Sequence, residues 1–133
     1  MKTLTALALF LLTIVPAQAQ TAPNVTGKWT GTLTRTAPDG RSQAIDWMFD
    51  LTQKGRVLTG TTGPNAERQW PIEKGGTVDG SKVTFKVQQP DGPMRTFTLA
   101  LVKGRLQGEM AAQPPGGAQP FSAKVDAERA KAK

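Results

Sequence analysis

The sequence predicts an all-β chain, a single eight-stranded antiparallel up-and-down barrel, on three observations. Apolar and polar residues alternate with period two from Val25 to Val125. Turn-forming clusters interrupt that alternation at short intervals, and no segment beyond residue 20 carries the 3.6-residue period of a helix. Successive side chains of a strand face opposite ways, so each stretch divides into a dry set and a wet set.

The first strand, residues 26–36, sets Trp29, Gly31 and Leu33 on its dry side and Lys28, Thr30, Thr32 and Thr34 on its wet side. Pro38, Asp39 and Gly40 then supply a turn, because proline presets φ and glycine accepts φ above zero. The second strand, 42–53, turns Ile45, Trp47, Phe49 and Leu51 inward and Asp46 and Asp50 outward. Beyond Lys54 and Gly55, the third, 56–62, adds Leu58 and Gly60. The fourth, 69–78, contributes Trp70, Ile72 and Val78, with a bulge or bend expected at Gly75 and Gly76. The fifth, 82–89, carries Val83, Phe85 and Val87. Pro90, Asp91 and Gly92 lead into the sixth, 94–103, with Phe97, Leu99 and Leu101. The seventh, 105–112, holds Leu106, Gly108 and Met110, and Pro114 to Gly117 turn the chain into the eighth, 119–126, with Phe121, Ala123 and Val125. One-sided strands joined by short turns close on themselves, since closure removes exposed edges and gives every dry face the same interior. A two-sheet sandwich is the alternative.

Residues 1–19 read as a secretory leader: Lys2 is the positive start, residues 4–15 are apolar, and Ala17, Gln18 and Ala19 form a small-residue cleavage site. An apolar run of that length is too short to span a bilayer, no second one follows, and no cysteine near the cleavage site invites acylation. The expected location is the periplasm or the medium, without a membrane span. The expected organisation is a flexible segment at 20–25, a barrel domain at 26–126 and a disordered tail at 127–133.

The chain has no cysteine, so its stability comes from packing, and it has neither histidine nor tyrosine. The usual general base at neutral pH and the commonest zinc ligand are therefore both missing, which argues against an enzyme and against a metal or other cofactor. Asp46 and Asp50 lie on the wet face with no groove implied and read as surface charge. The formal net charge of +7, one unit of it from Lys2, favours anionic surfaces and also serves solubility. Specific nucleic-acid recognition is not expected, because the wet face lacks aromatic residues on which bases stack.

The segment Val25, Thr26, Gly27, Lys28, Trp29, Thr30, Gly31 resembles the glycine-x-tryptophan signature on the first strand of lipocalins and the similar start of avidins. The chain as a whole resembles small exported bacterial lipocalin-like barrels. The resemblance implies that Gly27 and Trp29 close one end of the barrel while the other opens to a ligand, and that a basic residue of the last strand, Lys124 or none, crosses the ring. The chain is shorter than typical lipocalins, lacks a helix after the barrel and lacks the tyrosine with which avidins hold biotin, so biotin binding is not carried over.

Tracing the meander gathers Trp29, Leu51, Leu58, Val78, Val83, Leu101, Leu106 and Val125 at one apolar end. At the other it gathers Arg35, Gln43, Thr62, Trp70, Gln89, Arg95 and Gln119. The candidate ligand site is Arg35, Gln43, Trp70, Gln89 and Arg95. No acidic residue shares the inward register, so the two arginines either await an anion such as the carboxylate of a small apolar acid, or pair with Asp39, Glu67 or Asp91 on the loops. Gly31, Gly60 and Gly108 leave two interiors open, one with room for a guest and one packed large against small. The expected function is a monomeric binding module for a small hydrophobic or anionic molecule at the barrel mouth. The alternative is a protein-interaction module, such as a periplasmic protease inhibitor acting on a periplasmic protein.

Overall fold

The computed structural model describes residues 24–37 and 39–130, so the expected leader at 1–19, residues 20–23, Pro38 and residues 131–133 lie outside the described residues. Nine strands follow in order: β1 (Gly27–Thr36), β2 (Ser42–Lys54), β3 (Val57–Gly63), β4 (Trp70–Pro71), β5 (Thr77–Asp79), β6 (Lys82–Gln88), β7 (Met94–Val102), β8 (Arg105–Gln113) and β9 (Phe121–Arg129). All pairings are antiparallel. The chain meanders from each strand to its neighbour, and β9 returns to β1 with Leu33 opposite Val125 and Trp29 opposite Arg129. The result is a closed eight-position barrel, in which the expected fourth strand is broken into β4 and β5.

The break falls where glycines were expected to bend the chain. Gly75 has φ +100, which side chains rarely tolerate, and Gly76 packs so closely on β3 that a Cβ there would lie 2.7 Å from the Leu58 carbonyl oxygen. Around the break the segment still exchanges backbone hydrogen bonds with β3: the Ile72 N–H donates to Gly60 and the Leu58 N–H to Gly76, each at 2.9 Å. It therefore occupies one place in the ring despite its kink.

The dry set is the core. Trp29, Leu33, Trp47, Phe49, Leu51, Leu58, Val78, Val83, Phe85, Val87, Phe97, Leu99, Leu106, Met110 and Val125 are buried in one cluster. Phe85 stacks on Phe97 at 4.8 Å, Phe49 meets Phe97 edge-on at 5.6 Å, and Trp47 lies 6.3 Å from Phe97, so aromatic rings fill the barrel's middle. The inward glycines are sites of close backbone approach. A Cβ at Gly31 would sit 2.1 Å from the Asp126 oxygen, and one at Gly60 2.0 Å from that of Asp50. They let strands coil tightly enough to close and leave no chamber behind.

Two boundaries change. Val25, expected in a flexible segment, is fully buried, and β9 continues through Ala127, also fully buried, to Arg129 rather than fraying after Asp126. The barrel accordingly includes Val25 and continues through Arg129, because Val25 packs into the core and β9 stays paired with β1 as far as Trp29 opposite Arg129. Ile45, on the dry side of β2, is 42 % exposed because it stands at the open rim.

Candidate functional site

The two ends of the barrel differ. At the closed end Trp29 is fully buried and its indole N–H donates to the Val25 carbonyl at 2.9 Å. The Arg129 guanidinium lies 4.5 Å above the indole ring while donating to the carbonyls of Thr26 and Asn24 at 3.0 and 2.6 Å. Gln53 completes the closure, accepting from the Val25 N–H at 3.0 Å. The basic residue at this end is thus Arg129. Lys124 faces water on the wet side, opposite Thr34 and Glu109. Gly27, at φ +139, passes beneath the Arg129 side chain, which a Cβ there would approach to 3.1 Å.

At the open end lies a cavity of about 180 Å³ lined by Leu33, Arg35, Gln43, Ile45, Arg95, Met110, Phe121 and Ala123. Strand stagger explains the set: β1 and β2 present Leu33 and Arg35 opposite Ile45 and Gln43, and β8 and β9 supply the apolar floor. Three of the five candidate site residues, Arg35, Gln43 and Arg95, line it. Gln89 stands behind and accepts a short hydrogen bond from the Arg95 Nη1 group. Trp70 is not among the lining residues; it packs 6.2 Å from Trp47 and beneath the Arg68 guanidinium at 5.6 Å. Thr62 is fully buried, accepting from the Trp47 indole N–H at 2.6 Å and donating to the Met48 carbonyl at 2.8 Å, and Gln119 is exposed outside the cavity.

Both arginines rest on aromatic rings, Arg35 over Phe121 at 4.3 Å and Arg95 over Trp47 at 5.0 Å. Neither has a carboxylate within ion-pairing distance among the described residues. Asp39 instead pairs with Arg41 at 3.5 Å, and the other ion pairs join Arg105 to Asp126 and Glu128. Burial pushes the Arg95 guanidinium below its ordinary pKa, and its Nε–H is buried with no acceptor. An orphaned buried donor is costly, roughly 1–3 kcal/mol, so this group has an unmet demand for an acceptor. From Arg35 and Gln43 the site continues outward into a groove of about 420 Å³ along Ala37, Asp39, Arg41 and Ser42.

No family model and no curated protein matches the sequence. Among solved structures the chain is similar to the zebrafish ileal bile acid-binding protein complexed with cholic acid, at 14 % identity and a TM-score of 0.43, over 79 % of this chain and 98 % of that one. The closed ring of strand pairings, independent of that likeness, establishes the barrel.

Sequence reasoning missed the platform residues. Phe121 and Trp47 both belong to the dry set, yet their place beneath the arginines depends on how far each strand is shifted against its neighbours. It also missed Arg129, although the alternation Phe121, Ala123, Val125 continues in phase through Ala127 to that residue. No helix among the described residues is long and apolar enough to cross a membrane, and no group of three or more potential metal-ligating side chains occurs among them.

Proposed function

We propose that this protein is an exported, non-catalytic binding module that holds a compact apolar anion at the open end of its barrel. The observation that carries the reading is the state of the mouth: two guanidinium groups without a carboxylate partner among the described residues, one with a buried unsatisfied Nε–H, stand over a floor of Leu33, Met110, Phe121 and Ala123. A carboxylate matches the guanidinium fork, and an apolar body matches the floor. The leader read in residues 1–19 supports an extracytoplasmic location.

Size narrows the class. A cavity of about 180 Å³ compares with the ~150 Å³ that holds a benzene molecule and falls below the usual range for drug-sized ligands. The aromatic cluster beneath it leaves no path for a long acyl chain. The part of the guest that enters the barrel is therefore a single ring or similarly compact. Calorimetric titration with a series of acids carrying such a group, alongside native mass spectrometry of the protein purified without organic solvent, tests this. Saturable one-to-one binding that disappears in Arg35→Ala with Arg95→Ala supports the reading. The absence of binding by every compact acid, with no co-purified small molecule, refutes it.

A further inference from the structure

We infer that the guest has two parts: a compact ring on the apolar floor of the mouth cavity, and an anionic arm that passes between Arg35 and Gln43 into the outer groove, where Arg35 holds its carboxylate. This rests on the mouth reading above and specifies where the charge of the guest lies. Arg35 and Gln43 are cross-strand partners, and both line the inner cavity and the outer groove, so they form the junction between the two. The inner space of about 180 Å³ takes one ring, and the outer one of about 420 Å³ is open to a further part of the same molecule. Leu33 and Ile45 face each other one inward pair below Arg35 and Gln43. Two residues along a strand span about 7 Å. A carboxylate bonded directly to a ring on the floor therefore falls short of the groove, and one carried on a linker of a few atoms reaches it.

The two mouth arginines are not equivalent. The Arg95 guanidinium is half-buried, with Nη1 donating to Gln89 and Nε–H enclosed by protein, so it contributes positive charge to the cavity from its wall. Arg35 is exposed and has no carboxylate partner among the described residues. The acid that lines the groove, Asp39, is matched within the β1–β2 turn: its Oδ1 accepts from the Arg41 backbone N–H at 3.0 Å and its Oδ2 lies 3.5 Å from the Arg41 Nε. The Ala37 N–H donates to the Arg41 carbonyl at 2.7 Å and the Gly40 N–H to the Ala37 carbonyl at 2.9 Å, so this wall of the groove is preformed. The charge left unmatched there is that of Arg35, whose fork fits a carboxylate. Beside it Gln43 brings a side-chain amide, which can both donate to and accept from an amide in the linker. The guest class is thus an acid in which a short amide-bearing arm separates an aromatic ring from the carboxylate.

The test titrates the full chain calorimetrically with three probes: benzoate, hippurate, in which a glycyl arm carries the carboxylate, and hippuramide, its neutral counterpart. The parent should bind hippurate about tenfold tighter than either of the others. Arg35→Gln should bring hippurate down to the level of hippuramide while hippuramide itself keeps its affinity, which shows that the cavity is still formed. Asp39→Asn removes the acid from the groove and should tighten hippurate about threefold with hippuramide unchanged, a gain that damage to the fold does not produce. Equal affinity for hippurate and benzoate, equal affinity for hippurate and hippuramide, or unchanged hippurate binding in Arg35→Gln overturns the inference and leaves the mouth reading standing. Failure of all three probes to bind overturns it together with the reading it rests on.

Discussion

At the closed end the Trp29 indole is matched to a carbonyl and capped by Arg129, which joins the first and last strands of the barrel. At the open end Arg95 lies half-buried with an unmatched donor and Arg35 lies over Phe121 without a counter-ion among the described residues. The same kind of contact, a guanidinium over an aromatic ring, serves both places, and the partners of its N–H groups make the difference. Arg129 finds backbone carbonyls and locks the chain. Arg95 finds one amide and leaves its Nε–H buried without an acceptor. Stability and binding capacity are thereby separated along the barrel axis, so changes at the two ends should have distinguishable effects.

The largest effect is expected for Trp29→Ala, which removes the closing side chain and should cost about 3–5 kcal/mol, a large part of a typical domain's stability. Denaturant titration should show it largely unfolded or nearly so, whereas a small shift would mean the end closes without it. Next, Gly60→Ala forces a Cβ into the Asp50 carbonyl at a φ of +136 and should cost about 2–3 kcal/mol by the same measurement. Arg129→Ala loses the cap on Trp29 and two carbonyl contacts, about 1–2 kcal/mol, and should leave the affinity of the open end unchanged. Arg95→Met sharpens the contrast, since it should stay within about 1 kcal/mol of the parent in stability yet lose guest binding more than tenfold in calorimetry. Smallest of all, Arg41→Ala breaks an ion pair whose arginine side chain is 90 % exposed, and the thermal midpoint should move by no more than about 0.5 kcal/mol implies.

Much of the barrel is legible in the alternation, because a strand's facing has a period of two whatever its neighbours are. Trp47, Phe85, Leu99 and Val125 all turn inward as their positions require, and the glycine pair at 75 and 76 marks the break in the fourth strand. The C-terminal boundary was missed because Ala127 is a weak apolar signal amid charged residues, and its burial depends on β1, nearly a hundred residues earlier. Arg35, Gln43 and Arg95 were expected together at one end and do line one cavity, because an inward register is visible in one dimension. Trp70 packs against the core as its dry position requires but does not line the cavity, and neither does Gln119: a broken strand and a loop carry them, and register does not extrapolate across either.

The sequence by itself determined which side chains face in, where the chain turns, and that the inward arginines lack an inward acid, since each follows from local stereochemistry and residue type. Only the tertiary structure decided that Arg129 caps Trp29, that aromatic rings rather than a chamber fill the middle, and that Gln89 occupies one edge of Arg95 while Trp47 covers its face. Those outcomes depend on the stagger between strands and on the conformation of turns. Both are set by packing the whole ring at once, a property that no single stretch of residues encodes.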